Sequence, residues 1–571
     1  MLETISRMTI GDYLITRLKE AGIRHLLGVP GDFNLGFLEQ VLAHDGMEWI
    51  GTCNELNAAY AADGYARVNG AGALLVTYGV GDLSALNGIA GANAEHVPVV
   101  VISGVPPLHA IKSGQVLHHT AGTGGFEDVM NCLTQFTAAQ ARITPANAAF
   151  EIDRLVRTAL REKRPVYLQL PSDISYLEIE APAAPLAPST YAGDARQIER
   201  VVELMAERIA KAERPALLVD ADAHRFDLRP LICALGQHSG MPFASMSSGR
   251  STFNEQHPFY CGIYGGKAST PEALELVEGS DCLITIGVRF FDATTCFFSQ
   301  RIPTQDTIVL DAFSATINGR VLEGITAGEV LAALLERLPR RECAAIPRRL
   351  SSSAQVVAED RPLTHARLWP LVAGFLRERD VILADSGTAQ AGLNGVRMPA
   401  QTTFISQTTW GSIGYTLPAL LGSLLAEPDR RQLLFIGDGA FQMTAQELST
   451  ILRRGFKPIV FLINNHGYTI ERVILGPGSK YNEIQNWDYA RLPSVFAQGA
   501  QIAGATVRNE LELERALVDA GNAEQMTLIE LVMDKMDAPA GLLRMGPVVA
   551  EYDFGERGPQ ARTKELSAVQ A

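Results

Sequence analysis

Short apolar runs that end in glycine, proline or aspartate recur along the whole chain and alternate with stretches of helical spacing. The runs are RHLLGVPGD, GALLVTYGVGD, PVVVISGVPP, PVYLQLPSD, PALLVDADA, CLITIGVRF, DVILADSGT, RQLLFIGDG and PIVFLINNHG. Nearly continuous apolar runs of this length are typical of parallel strands that helices cover on both faces. The pattern therefore predicts an α/β fold built from doubly wound parallel sheets.

Two stretches interrupt this alternation and predict linkers between domains. Residues 178–195 (EIEAPAAPLAPSTYAGDA) are rich in proline and alanine, and residues 340–362 (RRECAAIPRRLSSSAQVVAEDRP) are rich in arginine and serine. A chain of 571 residues is also too long for one hydrophobic core, because single cores stop growing at about 250–300 residues. The sequence predicts three domains, at residues 1–180, 195–345 and 360–571.

Composition and charge narrow the class of protein. The net charge of −14 and the lack of a block of lysine and arginine argue against nucleic-acid and membrane partners. No apolar stretch reaches the roughly 18 residues of a membrane span, and the N-terminus lacks the pattern of an export signal. Seven scattered cysteines without a C-x-x-C pair predict reduced thiols and a cytoplasmic protein, rather than a zinc site or a disulfide framework.

Two polar turns follow apolar runs near the C-terminus, Gly-Asp-Gly at 437–439 and Asn-Asn at 464–465. Ligands of open parallel sheets bind beyond the carboxyl ends of the strands. There Asp438 offers an anionic oxygen, and the flanking glycines allow close approach of the backbone. The sequence predicts a magnesium ion that bridges Asp438 to a diphosphate, with the Asn465 amide and the Gly467 carbonyl as further ligands.

A helix is predicted directly after Gly-Asp-Gly, and its free N–H groups would face the anion. Thr444 and Glu447 form the T-x-x-E pattern of a capping box at its start. Gly455 is placed to end this helix.

The spacing of the two turns resembles the thiamine diphosphate motif, which begins with GDG and ends with NN. Blocks in order along nearly the whole chain are similar to those of the pyruvate decarboxylase and indolepyruvate decarboxylase family: GVPGDFNLGFLEQV (28–41), CNELNAAYAADGYAR (53–67), ANAEHVP (92–98), LHHT (117–120), TTWGSIGYT (408–416) and NNHGYTIE (464–471). The resemblance implies that the first domain binds the pyrimidine of thiamine diphosphate and the third binds its diphosphate. It implies non-oxidative decarboxylation of a 2-oxo acid to an aldehyde and CO2, with Mg2+.

The resemblance also implies roles for individual residues. Glu55 bonds the pyrimidine N1′ and thereby favours the tautomer in which the cofactor acts as its own base. Ile413 supports the bent cofactor, and the Gly411 carbonyl accepts a hydrogen bond from its amino group. The remaining cofactor contacts are Thr388, Gly437, Gly439 and Ala440.

Four titratable residues match family positions that take part in proton transfer: Asp32, His118, His119 and Glu471. Adjacent side chains usually diverge, so the two histidines are expected to do different jobs, one facing the substrate and one orienting a partner. Close spacing would couple the titrations of the four groups.

The substrate pocket is predicted from three further positions. Relatives commonly carry a bulky pair where this chain has Gln390 and Ala391, which predicts a wider wall and bulky 2-oxo acids such as indolepyruvate or phenylpyruvate. Phe298 opposes this in part, because the family version of its segment contains glycine. Pyruvate and branched-chain 2-oxo acids stay open as alternatives, since an apolar pocket discriminates by only about 1–3 kcal/mol per methylene.

The resemblance implies a homodimer at least, and a tetramer as a dimer of dimers, because the family assembles its cofactor site from two chains. Glu55 of one chain would then serve the same cofactor as Asp438 of another. Two rivals stay open: a relative of acetolactate synthase or benzoylformate decarboxylase, and a catalytically silent thiamine diphosphate-binding protein with a regulatory role.

Overall fold

The computed structural model describes residues 5–186, 191–340, 357–497, 502–555 and 559. The chain forms two compact units. The first unit takes its described residues from Met1–Thr190, Trp410–Arg430 and Thr444–Phe456, and the second unit takes the others. Most of the predicted linker at 340–362 lies outside the described residues, as does Cys343.

The N-terminal part of the first unit is a parallel sheet with helices. Its strands are β1 (Ile5–Thr9), β2 (His25–Gly28), β3 (Glu48–Gly51), β4 (Gly72–Thr77), β5 (Val99–Val105), β6 (Ala139–Arg142), β7 (Val166–Pro171) and β8 (Glu178–Pro182). Its helices are α1 (Ile10–Glu20), α2 (Leu35–Ala43), α3 (Glu55–Asn69), α4 (Val80–Ala94), α5 (Leu108–Ser113), α6 (Asp128–Leu133) and α7 (Ala148–Glu162). The sheet order is β3-β2-β4-β5-β7-β6, and every pair in it is parallel.

One part of the first predicted linker is a strand. β8 pairs antiparallel with β1, so residues 178–182 belong to a small two-stranded sheet of the first unit. The alternation of exposed and buried residues along EIEAP fits this pairing. This alternation is hard to recognise in the sequence because the segment is rich in proline and alanine.

The middle of the chain, in the second unit, builds a second sheet. Its strands are β9 (Pro215–Val219), β10 (Phe243–Ser245), β11 (Tyr260–Ile263), β12 (Cys282–Ile286), β13 (Thr307–Leu310), β14 (Ser314–Ile317) and β15 (Arg320–Glu323). Its helices are α8 (Ala195–Lys211), α9 (Ala221–Arg225), α10 (Arg229–Ser239), α11 (Pro271–Glu278), α12 (Asp292–Thr295) and α13 (Ala327–Arg337). The order is β11-β10-β9-β12-β13-β14-β15, parallel except for β14 and β15, which add antiparallel strands at one edge.

The C-terminal part supplies the third sheet. Its strands are β16 (Val381–Ala384), β17 (Thr403–Ile405), β18 (Gln432–Gly437), β19 (Ile459–Asn464), β20 (Ala503–Val507) and β21 (Thr527–Val532). Its helices are α14 (His365–Ala373), α15 (Thr388–Leu393), α16 (Thr416–Ala426), α17 (Asp438–Thr444), α18 (Leu448–Arg453), α19 (Thr469–Ile474), α20 (Leu492–Phe496), α21 (Glu510–Gly521) and α22 (Ala540–Phe554). The order β17-β16-β18-β19-β21-β20 is wholly parallel. The predicted α/β fold with three mainly parallel sheets is confirmed.

Two helices of the first unit cross at glycines. A Cβ on Gly64 of α3 would lie 2.3 Å from Ala419 O of α16, and a Cβ on Gly422 would lie 1.9 Å from Ala61 O. The backbones of α3 and α16 therefore approach as closely as small residues allow, and every residue from Thr416 to Leu425 is buried. α16, although late in the chain, is part of the core of the first unit.

A buried histidine makes the second unit sensitive to acid. His365 is 2% exposed; its Nδ1 accepts a hydrogen bond from Trp369 Nε1 at 3.1 Å, and its Nε2 has no partner among the described residues. Burial lowers the pKa of His365 from 6.5 to about 3. Below about pH 6.5 His365 binds a proton in the unfolded chain but not in the folded chain. The free energy of unfolding therefore falls as the pH drops from 6.5 towards 3.

Substitution of His365 by asparagine is expected to weaken this acid sensitivity, because Asn keeps an acceptor near the Trp369 N–H and does not titrate. Between pH 7.5 and pH 5 the unchanged protein should lose about 2 kcal/mol more unfolding free energy than His365→Asn. Urea unfolding followed by tryptophan fluorescence at the two pH values measures the difference. Equal losses in the two proteins would refute this assignment.

No helix among the described residues is both long and apolar enough to cross a membrane.

Candidate active site

The candidate cofactor residues of the second unit gather at one edge of the C-terminal sheet. The chain connections reverse direction between β16 and β18, and ligands of doubly wound sheets bind at such a switch point. Thr388 begins the helix that follows β16, Asp438 begins the helix after β18, and Asn465 follows β19. All three side chains are buried. The parallel pairing of β18 with β19 confirms that the two polar turns follow neighbouring strands.

The Asp438 carboxylate joins the two polar turns. Its Oδ1 accepts a hydrogen bond from Gly439 N at 2.8 Å, and its Oδ2 accepts one from Gly467 N at 3.0 Å. Burial raises the pKa of Asp438 from 3.8 to about 6. At neutral pH the buried charge therefore costs about 3 kcal/mol, because one pKa unit corresponds to about 1.4 kcal/mol.

The surroundings of Asp438 fit a divalent cation that would offset this cost. Gly467 has a φ of +120°, and a Cβ there would lie 2.0 Å from Asn482 O, so the turn requires glycine. A carboxylate, an amide and a backbone carbonyl are the oxygen ligands that hard cations prefer. The chemistry of Asp438, Asn465 and Gly467 thus suits Mg2+, and Gly437, Gly439 and Ala440 border the same turn.

The predicted capping box is wrong. Thr444 Oγ1 donates to Gly414 O at 2.7 Å and makes no capping bond. Glu447 Oε2 accepts from Cys53 N at 3.2 Å and from Asn57 Nδ2 at 2.8 Å, all within the first unit. Both side chains are used in contacts that are distant in sequence, and α17 begins at Asp438 itself. Gly455 does follow the end of α18 with a φ of +68°, as predicted.

The two asparagines of the second turn have different surroundings. Asn464 Nδ2 donates to Glu530 Oε1 at 2.6 Å and to Asn486 Oδ1 at 2.9 Å. Glu530 lies on the neighbouring strand β21. Asn464 therefore fastens the end of β19 to the sheet, whereas the buried Asn465 directly follows this strand.

Arg472 is a residue of this candidate site that the sequence analysis did not predict. It is 2% exposed and donates to the backbone oxygens of Asn465 at 3.1 Å, His466 at 2.6 Å and Asn482 at 3.1 Å. A buried guanidinium thus holds the turn that presents the candidate cation ligands. The only sequence feature that points to Arg472 is its position directly after Glu471. The neighbouring residues do not distinguish it from an arginine exposed to solvent.

The first unit has its own polar set at the switch point between β2 and β4. Asp32 lies just beyond β2, and the loop between α5 and α6 carries His118 and His119. A Cβ on Gly79, just beyond β4, would lie 2.0 Å from His119 O. The histidine loop therefore crosses the carboxyl end of β4, and His118 Nε2 comes within 3.0 Å of Asp32 Oδ2.

The expectation that the two histidine side chains diverge is wrong. Their ring centroids are 4.5 Å apart, and the rings meet edge to face. His119 has a left-handed φ of +61°, unlike the extended backbone on which adjacent side chains point to opposite faces. Phe33 stacks on His118 with its centroid 4.9 Å away and meets the edge of His119 at 6.3 Å.

Glu55 begins α3 and is half-buried. Asn54 caps this helix by accepting a hydrogen bond from Asn57 N at 2.8 Å. A Cβ on Gly81 would lie 3.4 Å from Glu55 Oε1, so the carboxylate stands over the start of α4. Burial raises the pKa of Asp82, in the first turn of α4, to about 7, and the negative charge of Glu55 raises it further in the same direction.

The loop that carries Gly411 and Ile413 is held on α3 and α4. Ser412 Oγ lies 2.6 Å from Tyr60 OH and accepts from Asn87 Nδ2 at 3.2 Å. Trp410 Nε1 donates to Asn87 Oδ1 at 2.7 Å. Gly411 has a φ of +65°, which allows its backbone to turn sharply, and Ile413 is half-buried.

The predicted pocket residues of the second unit differ in their surroundings. Gln390 Nε2 donates to Ser247 Oγ and to Thr408 Oγ1, each at 3.3 Å. Ala391 packs beside the apolar cluster of Val473, Ala538 and Leu542. This cluster joins α15 to α19 and α22, so the Ala391 methyl group lies in an apolar wall.

The C-terminal helix α22 contacts both α15 and α19, and α19 carries the exposed Glu471. Phe298, which is 48% exposed, has its ring 5.9 Å from the ring of Tyr552 near the end of α22. Leu542 and Tyr552 are separated by about 15 Å along a regular helix. Ala391 and Phe298 therefore contact opposite ends of α22.

The predicted proton-transfer residues are divided between the units. The structure brings Asp32, His118 and His119 together in the first unit, which also contains Glu55. Glu471 belongs to the second unit, with Asp438, Asn465 and Gly467.

Comparisons with known proteins agree with this arrangement. Three family models match: the N-terminal TPP binding domain of thiamine pyrophosphate enzymes at residues 8–131, their central domain at 202–337, and their C-terminal TPP binding domain at 385–531. An alpha-keto-acid decarboxylase of Mycolicibacterium paratuberculosis is 40% identical over 542 residues, covering 94% of this chain and 96% of the relative. One of Mycobacterium leprae is 39% identical over 536 residues, covering 93% and 94%. The chain belongs to the family of thiamine diphosphate-dependent 2-oxo acid decarboxylases.

Proposed function

We propose that the chain decarboxylates bulky 2-oxo acids of the indolepyruvate or phenylpyruvate type, with Mg2+ as the metal of its thiamine diphosphate. The observation that carries the proposal is Ala391, whose methyl group takes little space in the apolar wall formed with α19 and α22. A small side chain there leaves room for a large apolar substrate group. Phe298, the bulky pocket residue predicted from the sequence, lies at the far end of α22 against Tyr552, away from the wall at Ala391.

Thiamine diphosphate, when bound, supplies the carbon nucleophile and the electron sink of the reaction. Asp438, Asn465 and Gly467 would hold its metal, and Arg472 keeps their turn in place. The Glu55 carboxyl group would hold a proton at the pyrimidine N1′, and the Gly411 carbonyl would accept from the neighbouring amino group. Ile413 would support the bent cofactor. Thr388 would lie beside it.

Asp32, His118, His119 and Glu471 are the groups that would move protons in the later steps. The hydrogen bond between Asp32 and His118 orients the imidazole, and Phe33 fixes the ring plane. The apolar wall around Ala391 would leave the substrate carboxylate poorly solvated, which favours its loss as CO2 because its charge disperses in the transition state.

Rates of aldehyde formation from pyruvate, 2-oxoisovalerate, phenylpyruvate and indolepyruvate test the substrate class. The aromatic acids are expected to give the highest kcat/KM. Ala391→Phe should lower kcat/KM for them by about ten- to a hundredfold and spare pyruvate, because filling the wall removes space that a small acid does not use. A wide advantage for pyruvate in the unchanged protein would contradict the proposal, and lack of any aldehyde despite bound cofactor would favour a silent binder.

We also propose that the cofactor binds Glu55 of one chain and Asp438 of a second chain in a homodimer, two of which form a tetramer. Support comes from the division of the site residues between the two units. Co-expression of the inactive variants Glu55→Gln and Asp438→Asn tests this, because a mixed dimer would contain one intact site. Activity should return to about a quarter of the unchanged value, given random pairing. No recovery would place both residues of each site on one chain.

A cytoplasmic location is part of the same proposal. The six cysteines among the described residues are free, as in proteins of reducing compartments.

A further inference from the structure

Asp32, His118 and His119 form a cluster of potential metal ligands in the first unit. Among the residues that the structure describes, this is the group of three histidine, cysteine, aspartate or glutamate side chains whose ligand atoms all lie within 4.8 Å of one another. The shortest separation is 3.0 Å, between His118 Nε2 and Asp32 Oδ2. The carboxylate is 52% exposed and the His118 ring 55% exposed, so an ion could reach them from solvent.

The backbone conformation at His119 and the packing of Phe33 hold the three side chains of the cluster together. His119 keeps a left-handed φ of +61° although it is not glycine, a conformation that costs energy and persists only where the surroundings impose it. Its carbonyl packs so closely on Gly79 that a Cβ there would lie 2.0 Å from the carbonyl oxygen. Phe33 packs on both rings and limits their rotation. Three ligands are thus preorganised on one side of the loop.

We propose that Asp32, His118 and His119 bind a transition-metal ion such as Zn2+, and that this ion inhibits the enzyme. Two imidazoles and one carboxylate are a ligand set that suits Zn2+. Tetrahedral zinc with bonds of about 2.0–2.2 Å places its ligand atoms about 3.3 Å apart, a distance that small side-chain rotations reach from the observed separations. The fourth position would remain open to water.

The imidazole ligands also make this site selective for a different ion from the magnesium that the cofactor site would bind. The Asp438 turn offers oxygen atoms alone, which suit Mg2+, whereas nitrogen ligands favour Zn2+. Both kinds of ion could therefore be bound at once, by different residues.

Inhibition follows because the metal would occupy the lone pairs of three proposed proton-transfer groups. The hydrogen bond between His118 and Asp32 would be replaced by one bond from each residue to the ion. This part of the inference rests on the proposed function of the three residues; the binding of the ion does not.

The test uses the full-length holoprotein in excess Mg2+ and thiamine diphosphate. Equilibrium dialysis against Zn2+ should find one ion per chain, and Co2+ should give visible absorption bands of a low-symmetry site. Asp32→Asn, His118→Asn and His119→Asn should each weaken Zn2+ binding at least about tenfold. Asparagine at residue 119 tolerates the left-handed backbone, so the loop should keep its course.

Two variants serve as matched controls. The exposed His109 and the half-buried Asp173 form another pair, 3.7 Å apart, with no second histidine in a ligand group with them among the described residues. His109→Asn should bind Zn2+ as the unchanged protein does. Cys53 is an exposed thiol of the same unit, and Cys53→Ser should also bind normally. Unchanged binding in the three cluster variants, or loss of the ion in either control, overturns the proposal.

Activity distinguishes the two parts of the inference. Zn2+ should suppress aldehyde formation at the concentration that fills the site, and a chelator selective for zinc over magnesium should restore it. Full activity with one zinc ion bound would overturn the inhibitory role. Failure of the proposed function would look different, because the ion would bind to a protein that forms no aldehyde even without zinc.

Discussion

Asp438→Asn is expected to bind thiamine diphosphate at least about a hundredfold more weakly in the presence of Mg2+, and to lose nearly all activity at ordinary cofactor concentrations. The substitution removes the anionic ligand and replaces one of the two oxygens that accept from Gly439 N and Gly467 N by an NH2 group, which cannot accept a hydrogen bond. It also relieves the cost of the buried charge, so the cofactor-free protein need not be less stable.

The measurement is the rise in unfolding temperature that Mg2+ and cofactor cause, since a ligand that binds the folded state stabilises it in proportion to its affinity. The unchanged protein should show a clear rise and Asp438→Asn little or none. Asp488→Asn, which removes an exposed carboxylate of the same unit, should behave as the unchanged protein. A normal rise in Asp438→Asn would remove Asp438 from the cation site.

Glu55→Gln is expected to slow turnover by about 10²–10⁴-fold, the usual contribution of a positioned proton-transfer group. Glutamine keeps the shape of the side chain at the start of α3 but cannot exchange a proton with the pyrimidine. Cofactor affinity should change far less than in Asp438→Asn, because diphosphate and metal contacts supply most of the binding. Turnover under saturating cofactor and the cofactor dissociation constant measure the two effects.

Glu48→Gln is the control for this prediction. Glu48 is a half-exposed carboxylate on β3 of the same unit that pairs with Arg454, and its loss should leave turnover unchanged. Equal loss of cofactor affinity in the Glu55 and Asp438 variants would show that Glu55 serves binding rather than proton transfer.

The strands and the placement of the two polar turns were predictable because burial on both faces leaves uninterrupted apolar runs in the sequence. The antiparallel edge of the middle sheet was not predicted, since β14 and β15 are short, alternate in burial and lack such runs. β8 was mistaken for a linker for a related reason: it pairs with β1, far earlier in the chain, with Arg7 opposite Glu180, and no local pattern encodes this pairing.

The identities of the site residues followed from motifs, whereas their geometry depended on contacts that motifs do not contain. Thr444 and Glu447 have the right spacing for a cap, yet Gly414, Cys53 and Asn57 offer them partners in the fold. The two histidine rings meet next to a left-handed residue, His119, whose carbonyl packs on Gly79. Arg472 binds backbone oxygens, which every residue provides, so no sequence pattern predicts its contacts.

The crossing of α3 and α16 bears on how the protein is made. Half of this helix pair, α3, is synthesised by residue 69, whereas the other half, α16, is complete only at residue 426. The alanine-rich face of α3 therefore lacks this partner until the ribosome has reached residue 426, and exposed apolar surface of this kind makes nascent chains prone to aggregate. An N-terminal fragment cut at the first domain boundary should accordingly aggregate when expressed alone.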